Sequence, residues 1–400
     1  MGSIDQFFES LGKEEFHPLS NTSLGNFTGI NQTLKGNESI ILFPPGTSDP
    51  LILTVGQKFY AVVTPIIIGI GLCGNILSFN VFVSKSMRSL SASCYLAALS
   101  LSDILVLLIY VLLDWLTRGL AFLTGSYAAG HILSRNGVCH MFLYFSYVMR
   151  FMSVWLIVAF TIERYIGVCR PLLRLRMCTR SYARKTITIY VIAAFILSLY
   201  KPVLSGVYEV NKITKEKVCT HNSEFKTLSY VIDMIFGMSI TLVPFVIISV
   251  LNVLMVRKLV ARSRNRRRGV FGMVQVQENK IRMEMTIILL GLSTCFVMLN
   301  MPYFVTWCLH MYRTFPSRET DVDFRYSRGA LHVTRTIYFF NYCVNFFLYS
   351  ISGACFRKEL RALFTYRRLQ RRSSSLRSMR SSILRNESNQ RTDSADNTIL

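Results

Sequence analysis

Charge is scarce in this chain of 400 residues: 17% are Asp, Glu, Lys or Arg, against 51% hydrophobic. An ordinary soluble domain carries about 25% charged residues, so that class is excluded. Catalytic constellations are missing too. There is no paired-histidine metal spacing, no glycine loop to cradle a phosphate, and no Ser/His/Asp arrangement at one membrane face, so the chain reads as a non-enzyme. No internal repeat and no inverted pair of Gly- or Pro-broken helices marks a transporter. Residues 1–16 hold no apolar run of signal-peptide length, because Asp5, Glu9, Lys13 and Glu14 interrupt it; insertion is expected through the first span. Position 6 is Gln rather than Ser or Thr, so Met1-Gly2 is not a myristoylation site.

What the chain has instead is seven stretches of membrane-crossing length, each needing about 20 mostly apolar residues. They run over 57–84, 92–116, 137–169, 186–206, 228–256, 283–311 and 331–353. The third places Cys139 and Arg164 at opposite ends, 25 residues apart. At about 1.5 Å per helical residue that is roughly 37 Å, more than the ~30 Å hydrocarbon core.

The net charge of +23 is distributed by side. Segments 85–90, 170–185, 257–282 and 357–400 carry +2, +6, +8 and +7, whereas the residues before 57 carry −4. Positive charge gathers on the cytoplasmic side, which places the N-terminus outside and the C-terminus inside, as an odd number of spans requires. The basic residues then serve orientation and contact with anionic lipid; no nucleic-acid face is expected. Four glycosylation sequons, at Asn21, Asn26, Asn31 and Asn37, fall on the outer segment, and a fifth at Asn386 falls in the tail. Of ten cysteines, eight lie in spans or on the cytoplasmic side, with Cys308 near a helix end. Cys139 and Cys219 fall plainly outside, and a disulfide between them is expected, two free thiols being the alternative.

Polar residues inside the spans point to function. Asp103 is a carboxylate at mid-membrane, with Asn75, Ser153, Asn341 and Asn345 as candidate partners. Those oxygen-bearing groups suit a hard monovalent cation such as sodium; the alternative is a hydrogen-bonded packing carboxyl. No other cofactor is expected.

Gly74-Asn75, Leu99 and Asp103, Cys139 with Glu163-Arg164-Tyr165, Pro202, Pro244, Phe296 with Pro302, and Asn345 with Tyr349 occur in order on spans one to seven. Together they resemble the rhodopsin-like (class A) G-protein-coupled receptors over roughly 57–365. The resemblance is to the peptide-activated type, similar to invertebrate FMRFamide, myosuppressin or thyrotropin-releasing-hormone-like receptors. It implies an all-α seven-transmembrane helix bundle over 57–353, behind a glycosylated segment over 1–56. Phe356 resembles the anchor of a short amphipathic eighth helix over 354–366, followed by a disordered tail over 367–400. It also implies that Glu163, Arg164 and Tyr165, with Asn345 and Tyr349, form the G-protein switch; an ordinary snorkelling Arg is the bland alternative.

Several positions depart from the family pattern. Asn300 stands where a tryptophan is usual and could instead join the network around Asp103. Phe346 replaces the seventh-span proline, so the kink there is expected to be absent.

The outer halves of the helices are expected to line a ligand pocket. Arg150 must face the interior, bound to a ligand acceptor or held by Asp103, Asn300 or Asp233. Asp114 and Arg335 are placed to pair with each other or with ligand; Tyr147, Tyr303, Phe304 and Trp307, with His310 one turn above Trp307, offer ring surface, helix packing being the alternative for all but Trp307. Ser146 occupies the position that is acidic in amine receptors, which argues against an amine. A peptide of mixed charge, or one with an amidated Arg-Phe end, suits both signs.

On the cytoplasmic side, the run Arg262–Arg268 suits a G protein or anionic lipid. Tail serines Ser373, Ser374, Ser375, Ser378, Ser381 and Ser382 follow arginines, as kinases and then arrestin would require, and Thr398-Ile399-Leu400 fits a PDZ domain. The expected function is a neuropeptide receptor acting through heterotrimeric G proteins. The rivals are an atypical receptor that binds peptide without signalling, and a seven-span channel or transporter.

Overall fold

Hydrocarbon offers the backbone no hydrogen-bond partner, so apolar stretches of this length must satisfy their own amides, and they do so as α-helices. The computed structural model describes residues 50–365 except 127, 212–215, 223, 267–272 and 315–320. The four N-terminal sequons, the serine-rich tail, the PDZ-type end and the side chains of Arg262–Arg268 lie outside what is described.

The order is α1 (Leu51–Val83), α2 (Ser91–Leu105), a single π-helical turn (Val106–Val111), α3 (Leu112–Thr124), α4 (Ala128–Leu133), α5 (Val138–Cys169), α6 (Pro171–Met177), α7 (Arg180–Leu197), α8 (Tyr200–Leu204), β1 (Ser205–Asn211), β2 (Glu216–His221), α9 (Lys226–Ile240), α10 (Leu242–Arg266), α11 (Met273–Thr314), α12 (Asp321–Phe339), one 3-10 turn (Phe340–Tyr342) and α13 (Val344–Ser352). Residues 354–365 form a further helix, whose Phe356 is buried against Phe82, Phe346 and Tyr349.

Six helical stretches among the described residues are long and apolar enough to cross a membrane: Leu51–Val83, Ser91–Thr124, Val138–Cys169, Arg180–Leu204, Thr227–Ala261 and Thr286–His310. The seventh, α12 to α13, is divided by its 3-10 turn. α5 is the central post, with 67% of its apolar window buried against 17% for Thr227–Ala261, whose outer face is left for lipid.

Two local devices set the helix packing. Gly56 on α1 and Gly329 on α12 meet backbone to backbone: a Cβ built on Gly56 would lie 2.6 Å from the Gly329 carbonyl oxygen. Pro244 has no amide hydrogen to give the Ile240 carbonyl, and the helix breaks there, with Thr241 at φ −122°, ψ −65°.

The seventh span breaks without a proline. Position 346 is Phe, inside the continuous helix Val344–Ser352, yet Phe340–Tyr342 tighten to 3-10 geometry and Cys343 leaves the helix at φ −114°, ψ −22°. Asn75 explains how the break is tolerated. Its Nδ2 donates to the Tyr342 carbonyl at 2.7 Å, serving an acceptor released from the regular ladder.

β1 and β2 form an antiparallel hairpin that pairs Val207 with Cys219. A Cys139–Cys219 disulfide, with a Cα–Cα distance of 5.6 Å, pins the hairpin to the start of α5.

Candidate functional site

Beneath the hairpin, at the disulfide end of the bundle, lies a cavity of about 260 Å³. Asp114, Ser146, Tyr147, Arg150, Asp233, Tyr303, Phe304, Trp307 and Arg335 all line it. They come from α3, α5, α9, α11 and α12, so one concavity collects residues scattered over 222 positions, from 114 to 335.

Two charged clusters flank it. On one side Asp114 accepts from the Tyr60 hydroxyl at 2.7 Å, pairs with Arg118 Nε at 3.0 Å, and has Arg335 Nη1 at 3.7 Å. The anticipated Asp114–Arg335 pairing is therefore present, with Arg118 as the nearer cation. On the other side Asp233 accepts from Lys201 Nζ at 2.7 Å and from the Tyr200 hydroxyl at 2.9 Å, and His221 Nε2 lies 3.8 Å away.

Arg150 stands between these clusters and belongs to neither. Its Nε donates to the Ser146 carbonyl at 3.1 Å, one turn back on its own helix. Its guanidinium lies 4.4 Å from the ring centres of both Tyr110 and Tyr147. None of the anticipated holders, Asp103, Asn300 or Asp233, is bonded to it. A guanidinium can rest on π faces where no carboxylate reaches.

Two further candidates are corrected. His310 does not line the cavity; it is buried, with Nδ1 2.8 Å from Ser327 Oγ on α12. Asn300 lines the cavity but does not join Asp103, because its Nδ2 donates to the Phe296 carbonyl at 2.6 Å, the back-bond its helical position favours.

Lys201, Tyr200, Tyr110, Arg118, Tyr338 and His221 were missed in the sequence reading. Lys201 left a signal, as a lysine inside the apolar run 186–206, and such a residue marks function by default. Tyr110 and Tyr338 left none, since rings on helices usually pack.

Deeper in the bundle, Asp103 is fully buried and accepts from Ser153 Oγ at 2.6 Å and from Asn345 Nδ2 at 2.6 Å. Asn75 is not bonded to it, because its amide is spent on the Gly71 and Tyr342 carbonyls. Asn341 is buried on the 3-10 turn.

Toward the other end of α5, Arg164 holds Glu163 Oε2 through Nε at 2.8 Å and Nη2 at 2.5 Å. Ser91 at the start of α2 donates to the other carboxylate oxygen of Glu163. Tyr165 is half-buried beside the core, and Tyr349 is buried edge-on to Phe82 with ring centres 5.1 Å apart. Asn345 bonds to Asp103 and Tyr349 packs on Phe82, so neither is bonded to Glu163 or Arg164 here.

The family model described as "7 transmembrane receptor (rhodopsin family)" matches residues 74–349. The chain belongs to that family. The receptor is similar to the thyrotropin-releasing hormone receptor of Gallus gallus, 31% identical over 216 residues, which cover 52% of each chain. It is also similar to the FMRFamide receptor of Drosophila melanogaster, 26% identical over 346 residues, covering 80% of this chain and 56% of the relative. Similarity to a purinoceptor of Mus musculus is 24% over 313 residues, covering 74% and 76%. The receptor thus spans about half the length of the first two relatives.

Proposed function

We propose that this receptor binds a peptide in the cavity beneath the hairpin and passes the event to a heterotrimeric G protein at the Arg164 end. The observation that carries the reading is the wall itself, where Asp114 and Asp233 clusters flank an unpaired Arg150 among aromatic rings. Convergent polar groups in a ring-lined concavity are what a ligand site needs. The names of the fly and chicken relatives support a peptide.

Transmission is a shift between two packings. In the packing described, Arg164 is closed on Glu163. Ligand would favour a second packing in which α10 and α11 move outward at that end and Arg164 turns to the G protein. For a monovalent cation, Asp103 and Ser153 offer oxygens, and Asn345 would have to turn its carbonyl inward. Such an ion would neutralise the buried carboxylate. The acidic, sequon-bearing N-terminal segment and the basic loops support a plasma-membrane orientation with the N-terminus outside and the tail inside, open to kinases, arrestin and a PDZ protein.

The test is expression in cells carrying calcium and cyclic-AMP reporters, challenged with a neuropeptide library. A saturable response that Arg164→Ala removes is expected. Silence from a surface-expressed receptor would favour the second reading, a peptide binder that does not signal. That reading rests on Asn300 and Phe346, which replace the usual tryptophan and proline.

A further inference from the structure

Charge on the cavity wall is uneven. Four side chains of permanent positive charge line it, Arg118, Arg150, Lys201 and Arg335, against two carboxylates, Asp114 and Asp233. Both carboxylates are already engaged, Asp114 by Tyr60, Arg118 and Arg335, and Asp233 by Tyr200 and Lys201. Among the described residues no carboxylate lies within ion-pair distance of Arg150. Tyr110 and Tyr147 hold its guanidinium by the π system, and its Nε is spent on the Ser146 carbonyl. Arg150 lines the cavity, and among the described residues its Nη groups carry no hydrogen bond; they form a planar fork whose geometry matches two oxygens of one carboxylate. A buried charge without a counter-charge is costly, and an incoming anion removes that cost.

We infer that the end of the ligand entering this cavity carries a carboxylate, which docks on the Nη edge of Arg150. The inference rests on the peptide reading above. The carboxylate is either the peptide's own C-terminus or an Asp or Glu side chain beside it. A volume of about 260 Å³ sits just below the ~300–1,000 Å³ of drug-sized pockets, which suits the tip of a peptide rather than its length. The same wall disfavours a cationic tip. A lysine or arginine would meet four cations whose two counter-ions are committed, so the amidated Arg-Phe end that the mixed signs suggested is the poorer fit.

The experiment uses the full-length receptor in lipid nanodiscs and four tetrapeptide pools, read by thermal midpoint. One pool ends in a free carboxylate; three are carboxamides whose last residue is acidic, neutral or basic. Acid-bearing pools are expected to stabilise the receptor and the basic pool not to. Stabilisation by the free-acid pool alone identifies a C-terminal carboxylate, and by the acidic carboxamide a side chain. Arg150→Gln should weaken acid-bearing pools about 10- to 150-fold, the worth of a charge-assisted hydrogen bond. If that variant does not fold, Arg150→Lys keeps the charge without the fork and should retain a weakened preference. Equal stabilisation by neutral or basic carboxamides, no stabilisation by any pool, or undiminished affinity in these variants would overturn the inference. Nucleotide release from purified G protein on the same pools separates it from the signalling reading. Acidic pools that stabilise without release leave the carboxylate site standing and retire the signalling. Release driven by basic pools does the reverse.

Discussion

Lys201 Nζ lies 2.7 Å from Asp233 Oδ2, and 4% of the lysine side chain is exposed. This pair ties α8 to α9 at the cavity wall, with the Tyr200 hydroxyl on the second carboxylate oxygen. Removing one partner breaks a buried ion pair, at a cost of about 3–5 kcal/mol. Asp233→Asn is expected to lower the melting temperature of the purified receptor sharply. The double change Lys201→Met with Asp233→Leu should recover most of the loss, and failure to recover would show that the pair is not the source of the stability.

Arg164 is held by two bonds to one oxygen of Glu163, while Ser91 occupies the other. Glu163→Gln weakens the clasp without removing volume. Basal nucleotide release by a purified G protein should rise about tenfold, the equivalent of one charged hydrogen bond. Ser91→Ala should act in the same direction and less strongly. Unchanged basal rates in both variants would mean that the pairing does not restrain the receptor.

Asn75 caps the Tyr342 carbonyl at the break in the seventh span. Asn75→Leu strands a buried acceptor, which costs about 1–3 kcal/mol. A lower melting temperature and reduced surface expression are expected. Phe346→Pro leaves the Asn75 bond in place and should still reach the surface. Equal loss in the two variants would contradict the capping role.

Gly329→Ala puts a methyl 2.7 Å from the Ile52 carbonyl, where only backbone can give way. Overpacking of this kind costs about 1–3 kcal/mol. Gly69→Ala provides the control: nothing lies within 4 Å of its added Cβ, and replacing glycine inside a helix should be neutral or mildly stabilising. Thermal melts of the two variants should therefore move apart.

The spans and part of the cavity wall were legible because membrane thickness and the cost of intramembrane charge act on local sequence. Arg150, Asp114 and Asp233 stand out in apolar surroundings, and charge at that depth must face the bundle interior. Partner choice was not legible. Asn75 could have faced Asp103 and instead serves Tyr342, because the break in the seventh span exposed a carbonyl that no residue type announces. His310 and Trp307 lie three positions apart on one helix, yet only the tryptophan reaches the cavity, since helix rotation is set by packing against α12.

The π turn at Val106–Val111 adds about one residue to the second span relative to a regular helix, and one helical residue corresponds to roughly 100° of rotation. Everything that follows, Asp114, Thr117 and Arg118 included, keeps its order but takes a new compass bearing. The pocket's vocabulary is thus written by a phase offset as much as by the letters themselves. Deleting one residue from that turn would swing the same carboxylate away from Tyr60 and Arg335. A single insertion or deletion there would redirect Asp114, Thr117 and Arg118 with every pocket side chain unaltered in kind.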